Sequence, residues 1–333
     1  MMNESKTNYN SRKMISISSY WLLLVLVSSL VGCHNSTEPT DELNVDRDIP
    51  PSEDFDASYG FWGPDGKTIY FKHSEELGSD PDPGKLDQLW KLDLKTGERK
   101  MIHTGRILNA DISPDEQWIV FHSFSLPQYL YKMRSNGSDL QKLTGPDSQH
   151  PDWEYTIMGK WSPDGRQVLF AKYAGEPRGV SLMDSTGSNP EIIIPYGVQP
   201  NWSPDGERII YLNWDTTKAQ RHQEQIYLAY SDGKESQRIT DLQNTERNLN
   251  NPSLSPEGSH ILFAYNSEVF IAETDGKNVE QLTDGAGYVR RPEWSPNGQT
   301  ILFSRVIQNV SKRLYYLDVE SREVTPVFPA EEQ

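Results

Sequence analysis

The sequence predicts an all-β fold, a six-bladed β-propeller of four-stranded antiparallel blades, and three observations carry that prediction. A turn of the Ser-Pro-Asp-Gly kind recurs six times. An unbroken apolar triplet follows every one of these turns at a fixed distance. Each unit then repeats a further apolar strand, most often closed by a second glycine-bearing turn.

The turns come first. They are Gly63-Pro64-Asp65-Gly66, Ser113-Pro114-Asp115-Glu116, Ser162-Pro163-Asp164-Gly165, Ser203-Pro204-Asp205-Gly206, Ser255-Pro256-Glu257-Gly258 and Ser295-Pro296-Asn297-Gly298. Their prolines step by 50, 49, 41, 52 and 40 residues, a period that suits propeller blades. Proline pre-sets φ at the first central position, Asp or Asn tolerates the second, and Gly supplies the positive φ that closes a hairpin. Before each turn stands a large apolar residue: Trp62, Ile112, Trp161, Trp202, Leu254 or Trp294. After it come Ile69-Tyr70-Phe71, Ile119-Val120-Phe121, Val168-Leu169-Phe170, Ile209-Ile210-Tyr211, Ile261-Leu262-Phe263 and Ile301-Leu302-Phe303. Such continuous β-branched, aliphatic and aromatic runs suit a strand buried on both faces.

Third strands are expected at 89–93, 130–133, 180–184, 226–230, 269–272 and 314–318. Second turns follow at Gly97, Asn136-Gly137, Gly187, Asp232-Gly233 and Asp275-Gly276, and short fourth strands end at Leu143-Thr144, Ile239-Thr240, Leu282-Thr283 and Val324-Thr325. Six such units close into a ring with protected edges. The pattern Trp-Ser-Pro-Asp-Gly, then Ile-x-Phe, Leu-Tyr-x-Met-Asp and Leu-Thr, resembles the PD40 repeat of TolB-like propellers across residues 57–328. The resemblance implies a propeller that binds partners. It would also place an α/β domain before the blades, where this chain has only a short polar segment, so partners known for that family are not carried over.

Three domains are expected: residues 1–32 a lipoprotein signal peptide, 33–54 a flexible acidic tether, and 55–329 the propeller. Lys6, Arg12 and Lys13 precede an apolar run from Ile15 to Val31, the order of a secretory signal. The run ends in Leu30-Val31-Gly32-Cys33, which resembles the lipobox of bacterial lipoproteins and implies lipidation of Cys33. The expected location is the cell envelope, lipid-anchored, with His34 favouring the outer membrane and a periplasmic orientation. Cys33 is the only cysteine, so the fold does not rest on disulfides. The segment after it is polar, acidic and contains Pro50-Pro51, the composition of a linker.

The chain carries 48 acidic against 32 basic residues, a net charge of −16. That balance argues against nucleic acid as a partner and against a polybasic membrane surface, leaving the lipid anchor as the membrane contact. No Gly-x-Ser-x-Gly elbow, His-Glu-x-x-His motif, phosphate loop or dinucleotide fingerprint occurs, so no catalytic residue and no cofactor is assigned.

Blade geometry sends the links within strand pairs 1–2 and 3–4 to one face, and the 2–3 and blade-to-blade links to the other. The second set holds the long segments, including 72–88, 144–159, 212–225, 241–251 and 283–291. Variable loops on a rigid scaffold are where binding residues concentrate. The candidate partner-binding residues are His150, Asp152, Trp153, Tyr155, Trp214, Arg247, Asn250, Tyr288, Arg290 and Arg291. Aromatic and Arg side chains are typical recognition anchors, and the partner expected is an envelope protein, a peptide or a glycan. The turn carboxylates read as structural, and the acidic loop Asp80–Gly84 as solvated. An alternative reading rests on His73, His103, His122, His150 and His222, which would hold a metal as in oligogalacturonate-type polysaccharide lyases. No metal site is assigned.

Overall fold

A computed structural model describes residues 57–76, 85–123, 126–214, 224–243, 249–285, 287–307 and 311–328. The expected signal peptide, Cys33, the tether, the acidic loop at 80–84, Arg247 and His222 lie outside the described residues. The described chain is built from six four-stranded antiparallel sheets, each made of four consecutive strands, and contains no helix. The blades run Ala57–Thr104, Ile107–Lys142, Thr156–Pro195, Val198–Arg238, Leu249–Gln281 and Tyr288–Pro326.

The recurrent turn folds through its serine. Ser113, Ser162 and Ser203 donate their hydroxyls to Asp115, Asp164 and Asp205 at 2.5, 2.6 and 2.5 Å. The same oxygens accept the backbone N–H five residues on, from Trp118, Gln167 and Arg208, at 2.9, 2.9 and 2.8 Å. Blade 1 has Gly63 in place of serine, and there Asp65 itself accepts the N–H of Thr68 at 3.0 Å. The carboxylates are therefore used up in closing the hairpin, as expected from the sequence. The serine hydroxyl is the first cause that holds each of the three Asp carboxyls below the usual range. The residue that closes the turn has positive φ in every blade, and in blade 2 that residue is Glu116, at φ 56°.

Each apolar triplet divides between two neighbouring blades. Its outer residues face the preceding blade and its middle residue the following one. Ile119 and Phe121 pack with Phe61, Tyr70 and Leu89 of blade 1, while Val120 packs with Trp161, Val168, Phe170 and Met183 of blade 3. The same division recurs around the molecule. It ends with Leu302 and Leu314 of blade 6 against Ala57, Ile69, Phe71 and Trp90 of blade 1. Among the described residues the ring thus closes by side-chain packing, each sheet being made of four consecutive strands.

The strands reach further into the long links than the sequence indicated. In blade 1 the 2–3 pairing extends to Glu76 opposite Lys85, and in blade 4 to Trp214 opposite Glu224. A fourth strand in blade 3, Glu191–Pro195, lacks the Leu-Thr ending that marked the others.

Candidate functional site

The first strand of every blade lines a central channel, and each of these strands carries a β-bulge at the same place. Counting back five residues from each turn proline gives Tyr59, Asn109, Met158, Gln199, Asn251 and Arg291. All six have positive φ, at 55°, 51°, 60°, 50°, 52° and 53°. At each one the register with the second strand slips. A bulge of this kind leaves a residue unpaired in the ladder and re-aims it. The sequence reading missed this row because residue identity varies around the ring; the constant offset from the proline was the available signal.

Unpaired amides need acceptors, and at three of the six bulges a side chain of the preceding blade provides one. Tyr59 donates its N–H to Ser304 Oγ at 2.9 Å, Met158 to His122 Nδ1 at 3.3 Å, and Asn251 to Gln199 Oε1 at 2.7 Å. Two residues further along, acids perform a similar task. Trp161 N–H donates to Asp111 at 2.8 Å and Trp62 N–H to Glu293 at 3.1 Å, each reaching back one blade. Lys160 Nζ lies 3.0 Å from Asp111 and 4.0 Å from Glu293. Burial alone would lower the Lys160 pKa, but the two acids outweigh it and hold it raised. Burial lifts the Glu293 carboxyl above its ordinary range against the opposing pull of Lys160.

The channel is narrow. Its cavity is about 50 Å³, lined by Asn109, Met158, Lys160, Gln199, Asn251, Arg291 and their neighbours. That is room for roughly three waters, far below the hundreds of cubic ångströms of a small-molecule pocket. A second, open depression of about 340 Å³ lies at Trp62, Tyr316, Asp318 and Glu323. Its Asp318 carboxylate already accepts the Glu320 and Ser321 amides of its own turn.

The residues singled out from sequence occupy different parts of this geometry. Arg291 lines the channel, and Asn250 stands beside it in the blade 5 strand, accepting from Gln199 at 3.3 Å. Tyr288 and Arg290 are exposed at the start of the same strand as Arg291. Asp152 is exposed, and Tyr155, half-buried, accepts the Tyr173 N–H through its carbonyl at 2.9 Å. Trp153 serves packing: its ring meets Phe170 at 5.7 Å, with Lys172 Nζ 5.4 Å above it. His150 binds the Gly187 carbonyl at 2.7 Å, which places it against the hairpin of the outer two strands of blade 3, away from the channel. Trp214 ends a strand of blade 4, and its side chain lies outside the description.

The described histidines do not converge. His73 meets Trp90 edge-on at 6.5 Å, His103 lies against Phe121 at 6.1 Å, and His122 accepts the Met158 amide. Among the described residues, no three His, Cys, Asp or Glu side chains are grouped to hold a metal ion.

Exposure adds Leu126 and Tyr196 to Tyr288, already singled out from sequence: the three are 53, 53 and 55% exposed, the most exposed large apolar side chains among the described residues. All three lie on the face of the 2–3 and blade-to-blade links, the face at which the first strands begin. Arg178 lies over the Tyr196 ring at 5.6 Å.

Comparison with known proteins agrees with this architecture. Residues 159–332 match the family model described as the TolB beta propeller domain. An uncharacterised protein of Agrobacterium fabrum is 32% identical over 143 residues, which cover 40% of this chain and 44% of that protein. The chain spans less than half the length of the curated relatives it matches. Among solved structures, a putative TolB from Agrobacterium tumefaciens superposes with a TM-score of 0.60 at 21% identity, covering 71% of this chain and 86% of that one. An oligogalacturonate lyase from Vibrio parahaemolyticus gives 0.55 at 16% identity, covering 82% and 93%. At these identities the structural likenesses establish the fold.

Proposed function

Since the chain belongs to the TolB β-propeller family, we propose that it is a non-enzymatic interaction module that docks a protein partner on the long-link face. The observation that carries this reading is the placement of Leu126, Tyr196 and Tyr288. Single exposed apolar residues are ordinary on any surface. Here the three most exposed share one face, beside the exposed Arg290; the less exposed Leu94, Leu140, Tyr230, Val279 and Val324 are spread over the turn side, where Asp115, Asp164 and Asp205 are engaged by their own turn serines. Aromatic and Arg side chains on a rigid frame are the usual anchors of a protein interface.

In the same proposal residues 1–32 direct export and Cys33 carries lipid. Residues 33–54 tether the propeller of residues 55–329 to the outer membrane, facing the periplasm. Cys33→Ser removes the acceptor, so labelled palmitate enters the unaltered chain and not the variant; equal labelling of both refutes the anchor.

The docking face is tested by placing a photo-cross-linking amino acid, in cells, at Tyr196, Tyr288 or Arg290, and separately at Asp205 and Tyr230 on the turn side. Discrete adducts from the first three positions and none from the last two are expected. Adducts from the turn side alone, or from neither side, refute the assignment.

A further inference from the structure

The channel holds one cation that nothing in the described chain neutralises by direct contact. Arg291 makes no hydrogen bond or ion pair among the described residues; its recorded contact is with the face of Tyr59, 5.0 Å from the ring centre. Lys72 approaches the same ring at 5.1 Å, but Lys72 is paired with Asp87 at 3.0 Å. Arg291 is partly exposed to the channel; burial draws its pKa down to about 10 against the pull of Tyr59, Glu293 and Asp111, so it stays charged at neutral pH with its donors open to the channel.

The first strands start on the long-link face, so the bulge row lies nearer that mouth than Asp111, Lys160 and Glu293. Within the row Arg291 is the one charged side chain. The side-chain amides of Asn109 and Asn251 in the same row have no partner among the described residues, and both line the channel. The mouth-side layer therefore presents one positive charge and free N–H donors. The deeper layer, with two acids against one lysine, sets a limit on how much negative charge the site accepts.

We propose that this layer is a carboxylate-binding site, Arg291 its cation, which takes the free terminal carboxylate of a partner's peptide chain. The inference rests on the reading of the long-link face as the docking face. A carboxylate's two oxygens match the planar guanidinium fork, and its single charge is the least that an anion sets against Asp111 and Glu293. A dianion would face Asp111 and Glu293 uncompensated. The cavity of about 50 Å³ suits a group as small as a carboxylate.

The test is calorimetric titration of the full chain with N-acetyl-glycylglycine and with its carboxamide. The acid is expected to bind at least tenfold more tightly than the amide. Arg291→Met abolishes that preference. Asn109→Asp keeps Arg291 but sets a carboxylate in the same row, and weakens the acid at least tenfold. Thermal melts of both variants verify folding, and the second variant keeps the test decisive where the first is unstable. Equal binding of acid and amide, no binding of either, or an unchanged preference in both variants overturns the site. If the long-link cross-links persist while the acid shows no preference, the carboxylate site alone falls. If those cross-links are absent, the wider reading falls however the peptides behave.

Discussion

At the residue scale, much of the character of this propeller sits in backbone conformations that L-residues avoid. Glu116 takes φ 56° where five other turns have glycine. A side chain in that region costs about 1–2 kcal/mol, partly offset because glycine disorders the unfolded chain more. Glu116→Gly should therefore raise stability by about 0.5 kcal/mol, read from the denaturant midpoint. His122 gives a second prediction. Its Nδ1 accepts the Met158 amide, so the ring must be the neutral Nε2–H form. Burial first, then the Arg291 charge, holds its pKa well below 6.5. Below pH 6.5 the unfolded chain takes up a proton that the folded one refuses, so stability falls as pH drops from 7 towards 5. His103, lowered by burial, acts in the same direction. His122→Gln keeps an acceptor and removes the titration, so the variant should lose measurably less stability over that interval. An equal loss would show that His122 is not the group responsible.

At the element scale, the Leu-Thr ending of the fourth strands acquires a physical reason. Thr144, Thr240 and Thr283 accept the N–H of Leu130, Ile226 and Val269 at 2.9, 3.0 and 3.0 Å. Those amides lie within the first three residues of the third strands, beyond the reach of fourth strands only two residues long in these blades. A threonine hydroxyl thus extends a short ladder by one bond. Thr240→Val retains the shape and removes the acceptor, and should cost about 1–3 kcal/mol in chemical denaturation. Blade 3 pairs its fourth strand over five residues, Glu191–Pro195, and has no such threonine. The sequence reading overlooked that strand because the marker it relied on belongs to the short version.

At the scale of the whole molecule, the critical seam is between blades 6 and 1. Leu302 is fully buried in a cluster drawn from both blades, and a Cβ on Gly60 would come within 2.9 Å of it. Glu293 and Ser304 bind the Trp62 and Tyr59 amides across the same seam. Among the described residues, these contacts supply the closure. Leu302→Ala should cost about 3 kcal/mol. A closed ring in which every blade has two neighbours should also unfold in one calorimetric transition. Two resolved transitions would mean that the seam opens first.

The number of blades, the turn chemistry and the strands buried on both faces are legible in the residues alone. Each of these follows from local patterns that recur at fixed offsets: proline and glycine set dihedrals, and apolar runs set burial. The docking residues were legible only in part. Tyr288, Arg290 and Arg291 were named, whereas Leu126, Tyr196 and the bulge row were not. That Trp153 packs inward, that His150 lies at the outer hairpin, and that Asp111 and Glu293 tie one blade to the next follows from the assembled ring. Whether a side chain faces solvent, a channel or a neighbouring blade depends on partners from 37 to 231 residues away in the cases of His150, Asp111 and Glu293, and across blades those partners are set by closure.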